Sequence, residues 1–195
     1  VVQNATPDRM MALAESGLLD DFKQAAQELI DGGVDGIATT CGFLSLFQKE
    51  LASACSVPVA PSSLLQVPMV ERLLPAGKRV GILTFSAENL HAAHLEAVGV
   101  ATDTPIVGMP SDSLFVRSIK GGDPDAPVET LRAEVIAAAR RLKQQHPDVG
   151  AIVAECANLS PFSADVARVC QMPVYDGVTL INWFHQGLRP RRYPV

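Results

Sequence analysis

The sequence predicts an α/β protein built twice from one unit. Two patterns predict it: short apolar bursts alternate with longer stretches of helical periodicity, as in parallel strands covered by helices, and a 26-residue segment recurs without a gap 115 residues later. The 195 residues, 48% of them hydrophobic, supply ample apolar material for a packed core.

In chain order, helical periodicity runs over about 7–31 and is closed by the Gly32-Gly33 pair. An apolar strand at 34–39 leads to Cys41, a helix over about 43–54, and a strand at 57–60 that Pro58 opens. A further helix at 64–74 ends at the "PAGK" turn, 75–78, the seam between halves. The second half reads as strand 79–84, helix 87–98, strand 105–108 and helix 126–145, with Gly121-Gly122 between the last two. Strand 149–154, helix 159–169, strand 172–175 and helix 177–187 follow. The expected organisation is a first lobe over 1–75 and a second over 76–195, with C-terminal helices reaching back to the first.

Laid on itself with an offset of 115, "VDGIATTCGFLSLFQKELASACSVPV" matches "VGAIVAECANLSPFSADVARVCQMPV" at ten of 26 positions. The identities include Cys41/Cys156, Cys55/Cys170 and Pro58/Pro173, so all four cysteines fall into pairs. Two unrelated strand–helix–strand units would share apolar positions but not both cysteines and the proline in one register. The chain therefore reads as two copies of one α/β unit. The strand at 79–84 opens the second copy about 70 residues before Cys156, whereas 40 residues precede Cys41. The first lobe is accordingly expected to be incomplete at its N-terminus by one strand and one helix, leaving its sheet one strand short.

Composition excludes several function classes. A net charge of −5, without a basic stripe and with few aromatics, gives no footprint for nucleic acid or anionic membrane. No run approaches the ~18 apolar residues of a membrane span, and no signal-peptide order opens the sequence. Four cysteines without a C-x-x-C pair suit a reducing compartment. The expectations are a cytoplasmic protein, a small-molecule substrate as partner, and a homodimer or higher homo-oligomer as assembly.

Cys41 and Cys156 each sit where a parallel strand ends and a helix begins, the edge at which open α/β sheets bind ligands. A helix N-terminus is expected to lower a thiol's pKa below ~8.5. Two such thiols facing one another across a cleft suit inversion of a carbon centre, one taking a proton from one face while the other delivers one to the opposite face.

"ATTCGFL" and "VAECANLSPF", the latter followed by "MPVYDGVTLINWF", resemble the two cysteine motifs of the aspartate/glutamate racemase superfamily. That group includes amino-acid and hydantoin racemases, maleate isomerases and arylmalonate decarboxylases. The resemblance implies two pseudo-symmetric Rossmann-like lobes, an active site between them that uses no cofactor and no metal, and Cys41 and Cys156 as the acid/base pair. It also implies substrate-carboxylate contacts at Thr40, Gly42, Ala157 and Asn158, with Thr84 and Ser86 forming a third loop; helix-start amides form natural anion sites. Glutamate racemases carry Asn-Thr and Thr-His after the two cysteines, where this chain has Gly42-Phe43 and Ala157-Asn158, which argues against glutamate as substrate. The decarboxylases retain one of the two cysteines, which argues against decarboxylation.

The function expected is a racemase or epimerase acting on a small carboxylate, amino acid or hydantoin-like substrate. The alternatives are a maleate-type cis–trans isomerase with a nucleophilic cysteine and a non-catalytic two-lobed binding protein. Cys55 and Cys170 read as packing residues. His91 and His94 read as a solvated helix face rather than a metal pair, and Arg189, Arg191 and Arg192 as a solvated tail. Glu155 reads either as a strand-end carboxylate in water or as a group that contacts a substrate ammonium or tunes the neighbouring thiol.

Overall fold

A computed structural model describes residues 2–13 and 16–194. Within them α1 (Pro7–Met11) and α2 (Leu19–Asp31) precede β1 (Ile37–Ala38). A 3-10 turn over Gly42–Phe47 runs into α3 (Gln48–Ala54), followed by β2 (Val59–Ala60). A second 3-10 turn, Ser63–Gln66, runs into α4 (Val67–Leu73). Then come β3 (Arg79–Thr84), α5 (Ala92–Glu96), β4 (Ile106–Gly108), α6 (Leu114–Gly121), α7 (Val128–Gln145) and β5 (Val149–Ala154). A third 3-10 turn, Ala157–Phe162, leads into α8 (Ser163–Cys170), and β6 (Val174–Tyr175) and α9 (Gly177–Leu188) complete the order.

All six strands fall where apolar bursts predict them, and all pairing is parallel. β1 and β2 form one sheet, and β4-β3-β5-β6 the other. The internal repeat survives at the level of register: Ile37 pairs with Val59, and Ile152, 115 residues on, pairs with Val174. The Ile37 amide donates to the Pro58 carbonyl and the Ile152 amide to the Pro173 carbonyl, each at 2.9 Å. The 3-10 turns after the cysteines are offset by the same 115 residues. β3 and β4 have no counterpart in the first unit among the described residues, a difference of two strands where one was expected.

Three helical expectations need correction. The stretch 7–31 is two helices rather than one; Gly17, at φ +69°, lies in the intervening segment and takes a backbone conformation that other residues resist. The stretch 87–98 is helical only over Ala92–Glu96. Helix α6 lies in a stretch given no helix from sequence, started by the Ser113 hydroxyl, which accepts the Val116 amide, and closed by left-handed Gly122.

The four-stranded sheet is buried on both faces. Leu83, Phe85, Ile152 and Ala154 point toward α6, α7 and α8, where Phe115, Val135, Leu142 and Val166 fill the space. Val80, Ile82, Ala151 and Val153 alternate with them and pack on Phe43, Leu44, Leu64, Val67 and Val70. The second core is thus built from both sides of the 75–78 seam. Terminal helices stitch the lobes further. Asp8 of α1 pairs with Lys120 of α6 at 2.7 Å, and Leu188 and Phe184 of α9 pack so closely on Gly36 that any Cβ there would lie 2.5 Å from Leu188 Cδ1. Among the described residues no helix is long and apolar enough to cross a membrane.

Candidate functional site

Both cysteines lie just past the carboxyl ends of parallel strands, Cys41 after β1 and Cys156 after β5, and each is the residue before a 3-10 turn. The two loops share one backbone design. The Leu44 amide bonds the Cys41 carbonyl at 3.2 Å and the Leu159 amide the Cys156 carbonyl at 3.0 Å. Amides also turn toward the sulfurs: those of Phe43 and Leu44 favour a Cys41 thiolate, and the Asn158 amide and side chain favour one at Cys156.

Burial outweighs these donors. It raises the Cys41 thiol to about 12, with the nearby Glu155 charge adding to the rise. Cys156 is raised further, by burial first, then by Glu155 and by Cys41 itself. The lowered thiol pKa expected at a helix N-terminus is therefore reversed. A six-residue 3-10 turn has a weak dipole, and the cost of taking a thiolate out of water exceeds what a few amides return.

Glu155 joins the loops. It is 2% exposed at the end of β5, and its amide donates to the Leu83 carbonyl at 2.8 Å. The Thr84 hydroxyl donates to Glu155 Oε2 at 2.7 Å, while Oε1 is buried without a hydrogen-bond partner. The carboxyl presses on the loop after Cys41: a Cβ at Gly42 would lie 2.5 Å from the Glu155 carbonyl oxygen and closer still to its carboxylate. Ser63, from the turn before α4, donates to the carbonyls of Ala154 at 2.7 Å and Glu155 at 3.0 Å. Burial lifts the Glu155 carboxyl to about 7, against the pull of Thr84 and of the Phe85 and Phe43 amides.

The other residues expected at the site are placed unequally. Thr40 is exposed, Ala157 half-buried and Asn158 exposed on their loops, and Gly42 is buried beneath Glu155. Thr84 is fully buried with its hydroxyl committed to Glu155, and so supports that carboxyl rather than facing solvent. Ser86 accepts a bond from Asn89 Nδ2 at 2.8 Å and borders a cavity of about 500 Å³ with Phe85, Gly108 and Met109. A second cavity, about 490 Å³, runs between α2 and β1 past Phe22, Leu29 and Ile37 to Thr40 and Cys41. Cys156 lines neither.

The remaining sequence candidates resolve by burial. Cys170 is 1% exposed within the core and Cys55 is half-buried at the end of α3. His94 is not on a solvated face, as expected, but 3% exposed, edge-on to Phe43 with ring centroids 5.5 Å apart. The helix starts at Ala92, so "HAAH" is its cap, and His94 Nδ1 accepts the His91 amide. Glu155 is not in water. Its burial was hidden from the sequence because Thr40, its repeat counterpart, is exposed.

No protein-family model matches the chain. It is 29% identical over 199 residues to a dimethylsulfoniopropionate lyase of Durusdinium sp. clade D, covering 96% of this chain and 65% of that protein. It is 30% identical to dimethylsulfoniopropionate lyase 6 of Emiliania huxleyi (strain CCMP1516), covering 93% and 51%. The chain thus spans about half to two thirds of the length of these curated relatives. Among solved structures it resembles arylmalonate decarboxylase (TM-score 0.62, 15% identity, 90% of this chain and 78% of that one). It also resembles allantoin racemase from Klebsiella pneumoniae (TM-score 0.62, 18% identity, 87% and 65%). The chain has the parallel α/β fold of the aspartate/glutamate/hydantoin racemase superfamily, as its paired cysteine motifs led one to expect.

Proposed function

We propose that the chain carries the acid/base machinery of an enzyme that removes a proton from the carbon beside a carboxylate or a ring amide carbonyl, with Cys41 and Cys156 as the proton-handling groups. The observation that carries this reading is the pair of cysteine loops, which follow register-matched strands and meet where Glu155 packs on Gly42. A thiol near 12 is seldom ionised, but its thiolate is a far stronger base than a free one. A carbon acid requires such a base.

Two reactions fit this chemistry. The sequence relatives support elimination from a carboxylate bearing a sulfonium group on its β-carbon. A thiolate takes the α-proton, the C–H electron pair becomes the C=C bond, and dimethyl sulfide departs with the C–S pair, leaving acrylate. The presence of both cysteines supports racemisation, the reading from sequence, in which one thiolate abstracts and the opposite thiol donates.

The experiment supplies the chain with dimethylsulfoniopropionate and, separately, with each enantiomer of aspartate and allantoin in heavy water. It follows dimethyl sulfide by gas chromatography and deuterium uptake by NMR. Elimination needs one base, so one of Cys41→Ser and Cys156→Ser should lose dimethyl sulfide release by about 10²-fold or more while the other keeps most of it. Racemisation predicts opposite handedness instead: each variant should retain exchange from one enantiomer and lose it from the mirror image. Release of no dimethyl sulfide and no exchange from any substrate would remove both readings.

A further inference from the structure

Among the described residues Glu155 is the one buried carboxyl that touches both cysteine loops, and neither reaction above assigns it a task. It precedes Cys156 in the chain, and across the lobe boundary its side chain fills the space that a Cβ at Gly42, the residue after Cys41, would occupy. One oxygen is held by Thr84, and the other is buried with no hydrogen bond closed to it; the Phe85 and Phe43 amides favour the charge only in part, and burial disfavours it more. We propose that Glu155 is a positioning residue shared by the two thiols: it holds the cysteine loops in register and, through its own charge, decides how readily either thiol gives up its proton. The assignment builds on the thiols being the acid/base pair, but its test needs no turnover.

The groups facing Glu155 come from each element packed on it. They are Cys41 from the loop after β1, Cys156 beside it, and Thr84 at the end of β3. His94 of α5 lies behind Phe43, and Asp176, the cap of α9, lies beyond Gln66 in the turn that also carries Ser63. A negative charge on Glu155 raises both thiols, against the amides that favour their thiolates. Protonated, the carboxyl leaves burial alone to hold the thiol protons; ionised, it adds to that hold. An activity that depends on thiolate should therefore carry a limb near pH 7, where Glu155 titrates.

The test measures the rate at which iodoacetamide alkylates Cys41, Cys156 and Cys55, resolved by peptide mass spectrometry between pH 6 and 10, in the wild type and in Glu155→Gln. A nearby like charge moves a pKa by about one unit, and each unit changes the thiolate fraction about tenfold. At pH 8.5 the variant should alkylate about tenfold faster at Cys41 and Cys156, with Cys55, at the far end of α3, unchanged. Equal rates at both site cysteines in the two proteins would overturn the proposal, and so would a rise at all three cysteines, which reports loosened structure. If Glu155→Gln does not fold, Thr84→Val decides: without its hydroxyl donor the carboxyl keeps its proton to higher pH. Both site thiols should then react faster than wild type at pH 7 to 8 and converge with it by pH 10, and a wild-type profile would again overturn the proposal. A chain inactive on every substrate but showing the tenfold alkylation change would refute the proposed reaction and leave the role of Glu155 standing.

Discussion

Glycine at 42 and glutamate at 155 constrain each other. Because a methyl group at 42 would overlap the Glu155 carboxyl and backbone, the close approach of the two loops demands the residue that lacks one. The glutamate in turn bears on stability. Its folded pKa of about 7 lies above the ordinary 4.5, so between those values the folded chain holds a proton that the unfolded chain has released. The stability this group contributes is whole below pH 4.5 and is lost as pH rises through 7. Denaturant midpoints should therefore fall for the wild type between pH 5 and pH 8, while Glu155→Gln shows a shallower fall and is no less stable than wild type at pH 8. A steeper fall in the variant would reverse the assigned sign.

At the scale of elements, the junction between lobes depends on helix starts as much as on apolar packing. Asp176 caps α9 by accepting the Thr179 amide at 2.9 Å, and it also takes the Ser163 hydroxyl at the start of α8. Gln66, from the turn ahead of α4, donates to the Asp176 carbonyl at 3.0 Å and accepts the Thr179 hydroxyl at 2.9 Å. One buried cluster thus fixes α9 against both lobes. Asp176→Ala should cost about 1–2 kcal/mol from the cap alone. It should also raise amide exchange in both α9 and the 63–66 turn, which a purely local cap would not do. By contrast, the exposed Arg189–Asp35 pair farther along α9 should contribute less than about 1 kcal/mol, since both side chains remain largely in water. Arg189→Ala is the control.

For the whole molecule, the second core decides cooperativity. Phe43, Leu44, Leu64 and Val67 from before the seam interlock with Val80, Ile82, Ala151 and Val153 from after it. A chain with this shared core should unfold in one transition, with tryptophan fluorescence and far-ultraviolet circular dichroism coinciding. Two separated transitions would mean that the lobes carry independent cores. The lobes also differ at their edges. β5 lies between β3 and β6, whereas β1 pairs with β2 alone among the described residues. That difference accounts for the unlike fates of Thr40 and Glu155, which occupy matching places in the repeat: one neighbours an apolar groove, the other is roofed by Thr84 and Gly42.

What the sequence by itself determined is what local pattern and internal comparison encode. Apolar bursts located six strands because burial on both faces of a parallel sheet leaves continuous apolar runs. The 115-residue offset located both cysteine loops, and the structure gives their strand pairs the same register. Only the tertiary structure decided the electrostatics. The thiols stand above their free values, not below, because burial in the folded chain removes water in a way that no local motif reveals. The same packing turned Glu155 from a strand-end carboxylate into a buried, shared group and drew His94 under Phe43. Desolvation depends on what lies across the chain in space. A residue's neighbours in sequence therefore foretold where each thiol sits, while its neighbours in the fold set how tightly each holds its proton.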